Sequence, residues 1–470
     1  MIENSKIYGF LSKIGRFLLK IIDGSLLAGI FLSPNENVAE TRGSIFFKIY
    51  RLLRGIGWKI FRALRLNKLL EGSIFKMVFL WASLTVVLAP IAPTMIIILL
   101  SLAGFGSLLL YLLCTPKAEL KYYPLNKYVY VFAAVYFIAI FTSVDVKGSL
   151  YGGCLTVLFI MFYMVMTNCI KKKIQFRALV FAISAVGILV SLYGFYQYMN
   201  QSKFGGVWVD TDMFQSISFR VYSTLGNPNV LGEYFLLVIP TAVAGFFVSR
   251  NNISRLFYMA AVGAMMICLV ITYSRGCYIG IMVAAAVFLV LLDRRFILLG
   301  IVGLMLMPFV LPDTIINRFM SIGNMEDSST SYRFYIYMGT INMLKDYWLC
   351  GIGPGQSAYN KVYPYYGYNG ISAPHSHNTF LQVMCDTGIA GIIVFIAVIY
   401  QFFKLLFRAY IDTDDKETKI YTIAFMASVS GFLVQSLFDY TFYNYRVMIF
   451  FWIYIALGAV ATKYASLKGE

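Results

Sequence analysis

A chain of 470 residues that is 60% hydrophobic and only 13% charged does not have the make-up of a water-soluble globular protein, in which about a quarter of the residues carry charge. A mean hydropathy of +0.74, with apolar runs of roughly 17–25 residues along most of the length, is the signature of membrane-spanning helices. The formal net charge of +17 is therefore assigned to membrane-surface loops and lipid headgroups, and nucleic acid is excluded as a partner.

Residues 1–76 read as a basic, cytoplasmic region on the membrane surface, distinct from a polytopic domain over 77–470. Scattered charges (Glu3, Lys6, Lys13, Arg16, Lys20) and the lack of an apolar core with a small-residue cleavage site speak against a cleavable signal peptide. The stretch 10–31 reads as an interfacial segment, with a turn at Pro34-Asn35-Glu36-Asn37. Over 45–70, Lys48, Arg51, Arg54, Lys59, Arg62, Arg65 and Lys68 alternate with Ile49, Leu52, Leu53, Ile56, Ile60 and Leu64. This is the pattern of an amphipathic helix lying on anionic lipid.

From residue 77 the fold class is all-α, a polytopic integral membrane protein with about twelve transmembrane helices. The spans are expected at 77–89, 94–113, 128–143, 150–168, 176–196, 230–249, 256–273, 277–292, 296–311, 388–407, 420–438 and 447–462. The first two, split by Pro90 and Pro93, read equally as a re-entrant hairpin. Lys171-Lys172-Lys173, Arg250, Arg255, Arg294, Arg295, Lys404, Arg408, Lys463 and Lys468 then fall on one side with the basic N-terminal region. The positive-inside rule makes that side cytoplasmic and places both termini there. Two long segments, 197–229 and 312–387, remain outside, the second just before the third-last helix and far longer than an ordinary connection. Seven cysteines without a Cys-x-x-Cys pair indicate neither a metal site nor a disulfide framework. Cys350 and Cys385 share the outer loop, as a pair or as two free thiols.

Polar chemistry collects on that outer face. Arg220 leads into Asn227-Pro228-Asn229, and Ser274-Arg275-Gly276 interrupts an apolar stretch from 256 to 292. An arginine there is costly unless it is paired, snorkels or lines a wet cavity, and Gly276 leaves the backbone open to a bulky anion. Arg333 opens the long loop. Three converging guanidiniums suit a pyrophosphate, because each keeps its charge and grips phosphate oxygens with a two-pronged fork. Gly351-Ile352-Gly353-Pro354-Gly355 lacks the Lys-Ser/Thr of a nucleotide loop and reads as a turn. Tyr359, Tyr363, Tyr365, Tyr366 and Tyr368 offer rings to stack on sugars or to form an interfacial aromatic belt. His375 and His377 are the only histidines, and imidazole is the side chain that exchanges protons near neutral pH. His377 is the expected general base, with His375 either the base in its place or orienting it, Asn378 and Ser274 in support, and Asp439 orienting a histidine, accepting a proton or pairing with Arg446. Neither a His-Glu-x-x-His nor a Gly-x-Ser-x-Gly motif occurs, which sets aside zinc protease and serine hydrolase chemistry.

The order and sidedness of Arg220 with Asn227-Pro228-Asn229, then Ser274-Arg275-Gly276, then Arg333 and the 351–355 glycines, then His377-Asn378 with Leu381 and Gly388-x-x-Gly391, resemble the O-antigen ligase and O-antigen polymerase superfamily of bacterial envelopes over roughly 127–470. That resemblance implies a glycosyltransferase of the bacterial inner membrane with an extracytoplasmic active site. It would move a glycan from a polyprenyl-pyrophosphate carrier to a lipid, glycan or protein acceptor, without a metal or other cofactor. By the same resemblance Arg220 and Arg275, assisted by Arg333, would hold the pyrophosphate, and His377 would activate the acceptor. The reaction expected is ligase-like and inverting. A polymerase extending a lipid-linked glycan is the nearest alternative, and a transporter of an anionic or polar solute the next. The basic N-terminal region departs from the family pattern.

Overall fold

The computed structural model describes residues 45–63, 73–115, 120–204, 217–293, 295–310, 312–321, 323 and 327–467. The interfacial segment expected at 10–31, the turn at 34–37 and the end of the basic stretch lie outside these. Contacts divide the chain into two units, 1–57 and 58–470. Among the described residues every regular element is helical.

The basic stretch begins as α1, Ile45–Ala63. Its apolar stripe faces outward, with Leu52 64%, Ile56 47% and Ile60 54% exposed. Trp58 and Phe61 instead pack against Ile74, Tyr111 and Cys114. The bundle then follows as α2 Ser73–Leu88, α3 Thr94–Cys114, α4 Asn126–Phe141, α5 Val146–Cys169, α6 Lys173–Met199, α7 Pro228–Val248, α8 Asn252–Val270, α9 Arg275–Leu292 and α10 Phe296–Val310. After it come α11 Asp313–Met320, α12 Ser328–Tyr347, α13 Gln356–Val362, α14 Thr379–Asp412, α15 Lys416–Gln435 and α16 Tyr445–Ala461. Each of the twelve expected spans overlaps one of these helices. Seven (α3, α5, α6, α7, α8, α9 and α14) are long and apolar enough to cross a membrane, and α2, α4 and α16 are shorter apolar helices.

The outer segments are more ordered than a loop reading implied. Helix α6 carries 197–199, and 312–387 folds into α11, α12, α13 and the first turns of α14. The glycine-rich turn is a packing device. Gly351 has φ +71° and Gly388 φ +68°, and a Cβ on either would lie 2.4 Å or less from a carbonyl oxygen of the other's strand of chain, Cys385 O or Leu349 O. Only glycine lets the two backbones pass this closely. Gly388 also breaks α14 (ψ −163°), so Thr379–Thr387 is a separate short helix leading into the span.

The core is built around α16, in which every residue from Val447 to Ala461 is buried, as expected of a helix apolar on all sides. Helices α7 and α15 flank it. Pro240 inside α7 cannot donate to the helix ladder and loosens the turn before it. Ser428 Oγ of α15 donates to Leu237 O at 2.6 Å, satisfying a carbonyl in that turn. Helix α15 meets α9 at two glycines: a Cβ on Gly431 would stand 2.6 Å from Gly280 O. Such small-residue crossings let helices approach without a hydrophobic driving force. Large apolar side chains such as Leu99, Ile267, Leu298 and Phe309 remain exposed on the outer helices, as in a protein whose surroundings are hydrocarbon.

The two ends of the bundle differ. One gathers Arg177, which pairs with Glu417 at 2.7 Å; Arg250, 3.8 Å from the same carboxylate; Lys171 on Tyr111 Oη; and Lys463 on Tyr122 O. The other holds the N-termini of α7, α9, α14 and α16 and the C-terminus of α15, and with them the polar motifs.

Candidate active site

Four helix ends place the site. Asn227 caps α7, accepting from Asn229 N at 2.8 Å, with Pro228 at the first helical position, a favoured start. This fixes Asn229 in the first turn. Asn229 Oδ1 accepts from Arg220 Nη2 at 3.0 Å and from Ser274 Oγ at 2.8 Å. Its Nδ2 donates to Asp439 Oδ2 at 2.9 Å. Ser274 precedes α9 and Asp439 follows α15, so one amide ties three distant segments together.

Asp439 Oδ1 in turn lies 3.0 Å from His377 Nδ1. The carboxylate fixes the proton on Nδ1 and leaves Nε2 as the basic nitrogen. His377 has φ +50°, a left-handed conformation that costs a non-glycine residue about 1–3 kcal/mol when held. Tyr337 Oη donates to its carbonyl at 3.0 Å and His375 Nδ1 accepts from its amide at 3.2 Å. The next residue, Asn378, caps α14 through Phe380 N and Leu381 N and donates to Leu437 O.

His377, Asp439, Asn229, Arg220, Arg333, Glu233, His375 and Tyr332 line one cavity of about 660 Å³. A narrower cleft beside it brings four guanidiniums together, those of Arg220, Arg275, Arg318 and Arg333. A third, mostly apolar groove of about 280 Å³ runs from Arg275 and Arg333 along Ile279, Phe334, Tyr337 and Phe438. Burial first, then Arg318 and Arg333, press the guanidinium of Arg220 down to about 9. Burial and Arg275 press that of Arg318 down to about 10. Guanidinium keeps its proton, so these shifts measure how costly the crowded positive charge is. Burial pushes Asp439 up, but the His377 hydrogen bond, the charge of His377 and Arg333 outweigh it, and the carboxyl stays well below its usual range. Arg333 Nη2 is 3.8 Å from Asp439 Oδ2, while its Nε is buried without a hydrogen-bond partner. The cavity is thus cationic on one wall and basic at His377 on another.

Residues 234–396, about a third of the chain, match the family model described as O-antigen ligase. This match supports the resemblance to the O-antigen ligase and polymerase superfamily. No curated protein matches the chain. The O-antigen ligase segment contains Arg275, Arg333 and both histidines, and Arg220 and Asp439 flank it. The family and the apolar helices together indicate a bacterial membrane protein of glycan-transfer type.

The structure brings His377, Arg220, Arg333, Asp439 and His375 into one cavity, and Ser274 and Arg275 into the adjoining cleft. The tertiary contacts add partners that the motifs did not show. Arg275 is an ion-paired cation: its Nη2 is 2.7 Å from Asp327 Oδ1 and its Nη1 donates to Ser321 O and Oγ. Gly276 makes room for the Gln435 side chain, whose Oε1 would lie 2.1 Å from a Cβ there. Asn378 is spent on capping. Tyr359 and Tyr363 are fully buried and stacked on each other at 5.0 Å, so they are neither sugar platforms nor an interfacial belt; Tyr332, Tyr440 and Tyr443 line the cavity instead. Asp439 bonds to His377, and Arg446 Nη1 donates to Thr224 O. Cys350 and Cys385 are free thiols, one exposed and one buried.

Sequence reasoning gave no site role to Asn229, Glu233, Asp327 or Arg318. The start of α7 at Asn-Pro-Asn marked the first, and the helix-capping run Asp327-Ser328-Ser329-Thr330 marked the third. His375, His377 and Asp439 each set a donor atom within 4.8 Å of the others, a set a divalent metal can take. Of the two Asp-x-Asp triplets, 210–212 lies outside the described residues and 412–414 begins at Asp412, the last residue of α14.

Proposed function

We propose that the protein is a metal-independent, inverting glycan ligase that uses a polyprenyl-pyrophosphate-linked glycan as donor. The observation that carries this reading is the joining of His377, through Asp439 and Asn229, to the guanidinium cluster around one cavity. His377 Nε2 removes the proton of an acceptor hydroxyl or amine. The acceptor atom forms its bond to the anomeric carbon as the bond from that carbon to the phosphate oxygen breaks. The electron pair leaves on the pyrophosphate, and the proton is released to water from the imidazolium. Guanidiniums preset around the leaving group stabilise the developing charge and need no rearrangement at the moment of reaction. Arg220 and Arg333 contact the pyrophosphate. Arg275, held by Asp327, keeps the cleft positive and shapes it, and the apolar groove beside Arg333 receives the first isoprenes. The site faces the extracytoplasmic side, and both termini and the α1 surface helix are cytoplasmic.

The test is transfer in proteoliposomes from an undecaprenyl-pyrophosphate-linked oligosaccharide, followed as release of undecaprenyl pyrophosphate. His377→Ala lowers turnover by about 10²–10⁴-fold, the range for loss of a positioned base, and Arg333→Gln raises the donor KM. EDTA leaves the rate unchanged. Full activity of His377→Ala, or loss of activity with EDTA, overturns the mechanism.

A further inference from the structure

A second cavity, of about 500 Å³, adjoins the one holding His377 and shares with it the wall formed by Pro374, His375, Tyr440 and Tyr443. Arg446, whose Nη1 donates to Thr224 O, lines it, while none of the guanidiniums of the arginine cleft does. Its floor is Asp386, a carboxylate 1% exposed on the short helix ahead of Gly388. Asp386 Oδ1 accepts from Gln382 Nε2 at 2.9 Å, and Oδ2 accepts from Tyr136 Oη at 3.2 Å. Among the described residues it has no ion-pair partner. A buried carboxylate with one neutral donor on each oxygen retains lone pairs for further donors. Around it stand Tyr443, Tyr445, Gln356 and Asn444, rings and amides of the kind that receive the faces and hydroxyls of a sugar. Gly152, Gly355 and Thr156 also line the cavity.

We propose that this cavity binds a neutral sugar ring of the acceptor, with Asp386 accepting hydrogen bonds from two of its hydroxyls. The proposal takes the word acceptor from the transferase reading above. The site itself rests on the cavity and the buried carboxylate. Asp386 is a positioning residue. The same Gln382 that holds it accepts from Ser376 N at 2.8 Å, and His375 and His377 stand with ring centres 4.2 Å apart. A ring seated on Asp386 is thereby registered to the segment that carries the base.

The experiment is saturation-transfer NMR on the detergent-solubilised full chain with methyl glycosides of glucose, galactose, mannose and N-acetylglucosamine, with and without undecaprenyl pyrophosphate. Undecaprenyl pyrophosphate binding is measured separately by thermal shift. At least one glycoside receives saturation in the wild type, and undecaprenyl pyrophosphate does not compete with it. Asp386→Asn weakens that glycoside at least tenfold, and Thr156→Trp, which puts a bulky ring at a lining position of the cavity, abolishes it. Both variants keep the undecaprenyl pyrophosphate shift, which also shows that they are folded. No glycoside signal in the wild type, competition by undecaprenyl pyrophosphate, or unchanged signals in both variants overturns the proposal. A glycoside signal without any undecaprenyl pyrophosphate shift leaves the sugar site standing and overturns the transferase reading instead.

Discussion

His377 is held by its neighbours in a backbone conformation it would not choose alone, and its imidazole is aligned by a carboxylate that is itself held by Asn229. Its neighbour His375 has a different task. It is buried between His377, Tyr440 and Tyr443, and burial first, then the charge of His377, lowers its pKa to about 3. Asp439 faces it as the opposing carboxylate and Arg333 as a further cation. A histidine that refuses a proton when folded but accepts one near pH 6.5 when unfolded makes the unfolded state bind more protons between those values. Stability then rises with pH, by about 1.4 kcal/mol per unit at most. The thermal midpoint of the detergent-solubilised protein should therefore fall as pH drops from about 6.5 toward 3, and His375→Gln should flatten part of that slope. An identical slope in the variant would assign it to other groups.

At the scale of elements, glycines decide where the site comes together. The Gly280–Gly431 crossing brings the top of α9, with Ser274 and Arg275, against the top of α15, beside Asp439. Gly431→Val should push the helices apart at a cost of about 1–3 kcal/mol. It should lower the thermal midpoint and impair turnover although Gly431 lies outside the cavity; an unchanged midpoint would show that the crossing has slack. Gly388 acts similarly, turning the short Thr379–Thr387 helix off the membrane span so that Asp386 and His377 face their cavities. The helical segments themselves were legible in the sequence, because hydropathy over a window and the 1.5 Å helical rise are local properties. The order in 312–387 was not: α12 has a nearly balanced polar and apolar make-up, and its burial against Tyr359 and Tyr363 is visible only once the chain is folded.

At the scale of the whole molecule, Arg177, Arg250, Lys171 and Lys463 gather at one end and the cavities at the other, and the outer helices show apolar side chains to their surroundings. A single-cysteine scan on a cysteine-free background in vesicles rich in phosphatidylglycerol checks the orientation. A cysteine at Tyr365, 86% exposed, should label only from outside and one at Arg250 only from inside. One at Ile56, on the outward stripe of α1 flanked by Lys59 and Arg62, should be shielded by lipid and become reactive when phosphatidylcholine replaces the anionic lipid. Labelling of Tyr365 from the cytoplasmic side would invert the topology.

The sequence by itself determined the membrane class, the helical segments, the family resemblance and the residue types at the site, because hydropathy, charge bias and short motifs are written along the chain. Tertiary structure alone decided which of those residues act together. It paired Arg275 with Asp327, added Arg318 to the guanidinium cluster, took Tyr359 and Tyr363 into the core and made Asn229 the joint between Arg220 and Asp439. Each of those contacts spans between 9 and 210 residues of sequence, and proximity across such distances is set by helix crossings and buried partners that no local pattern encodes.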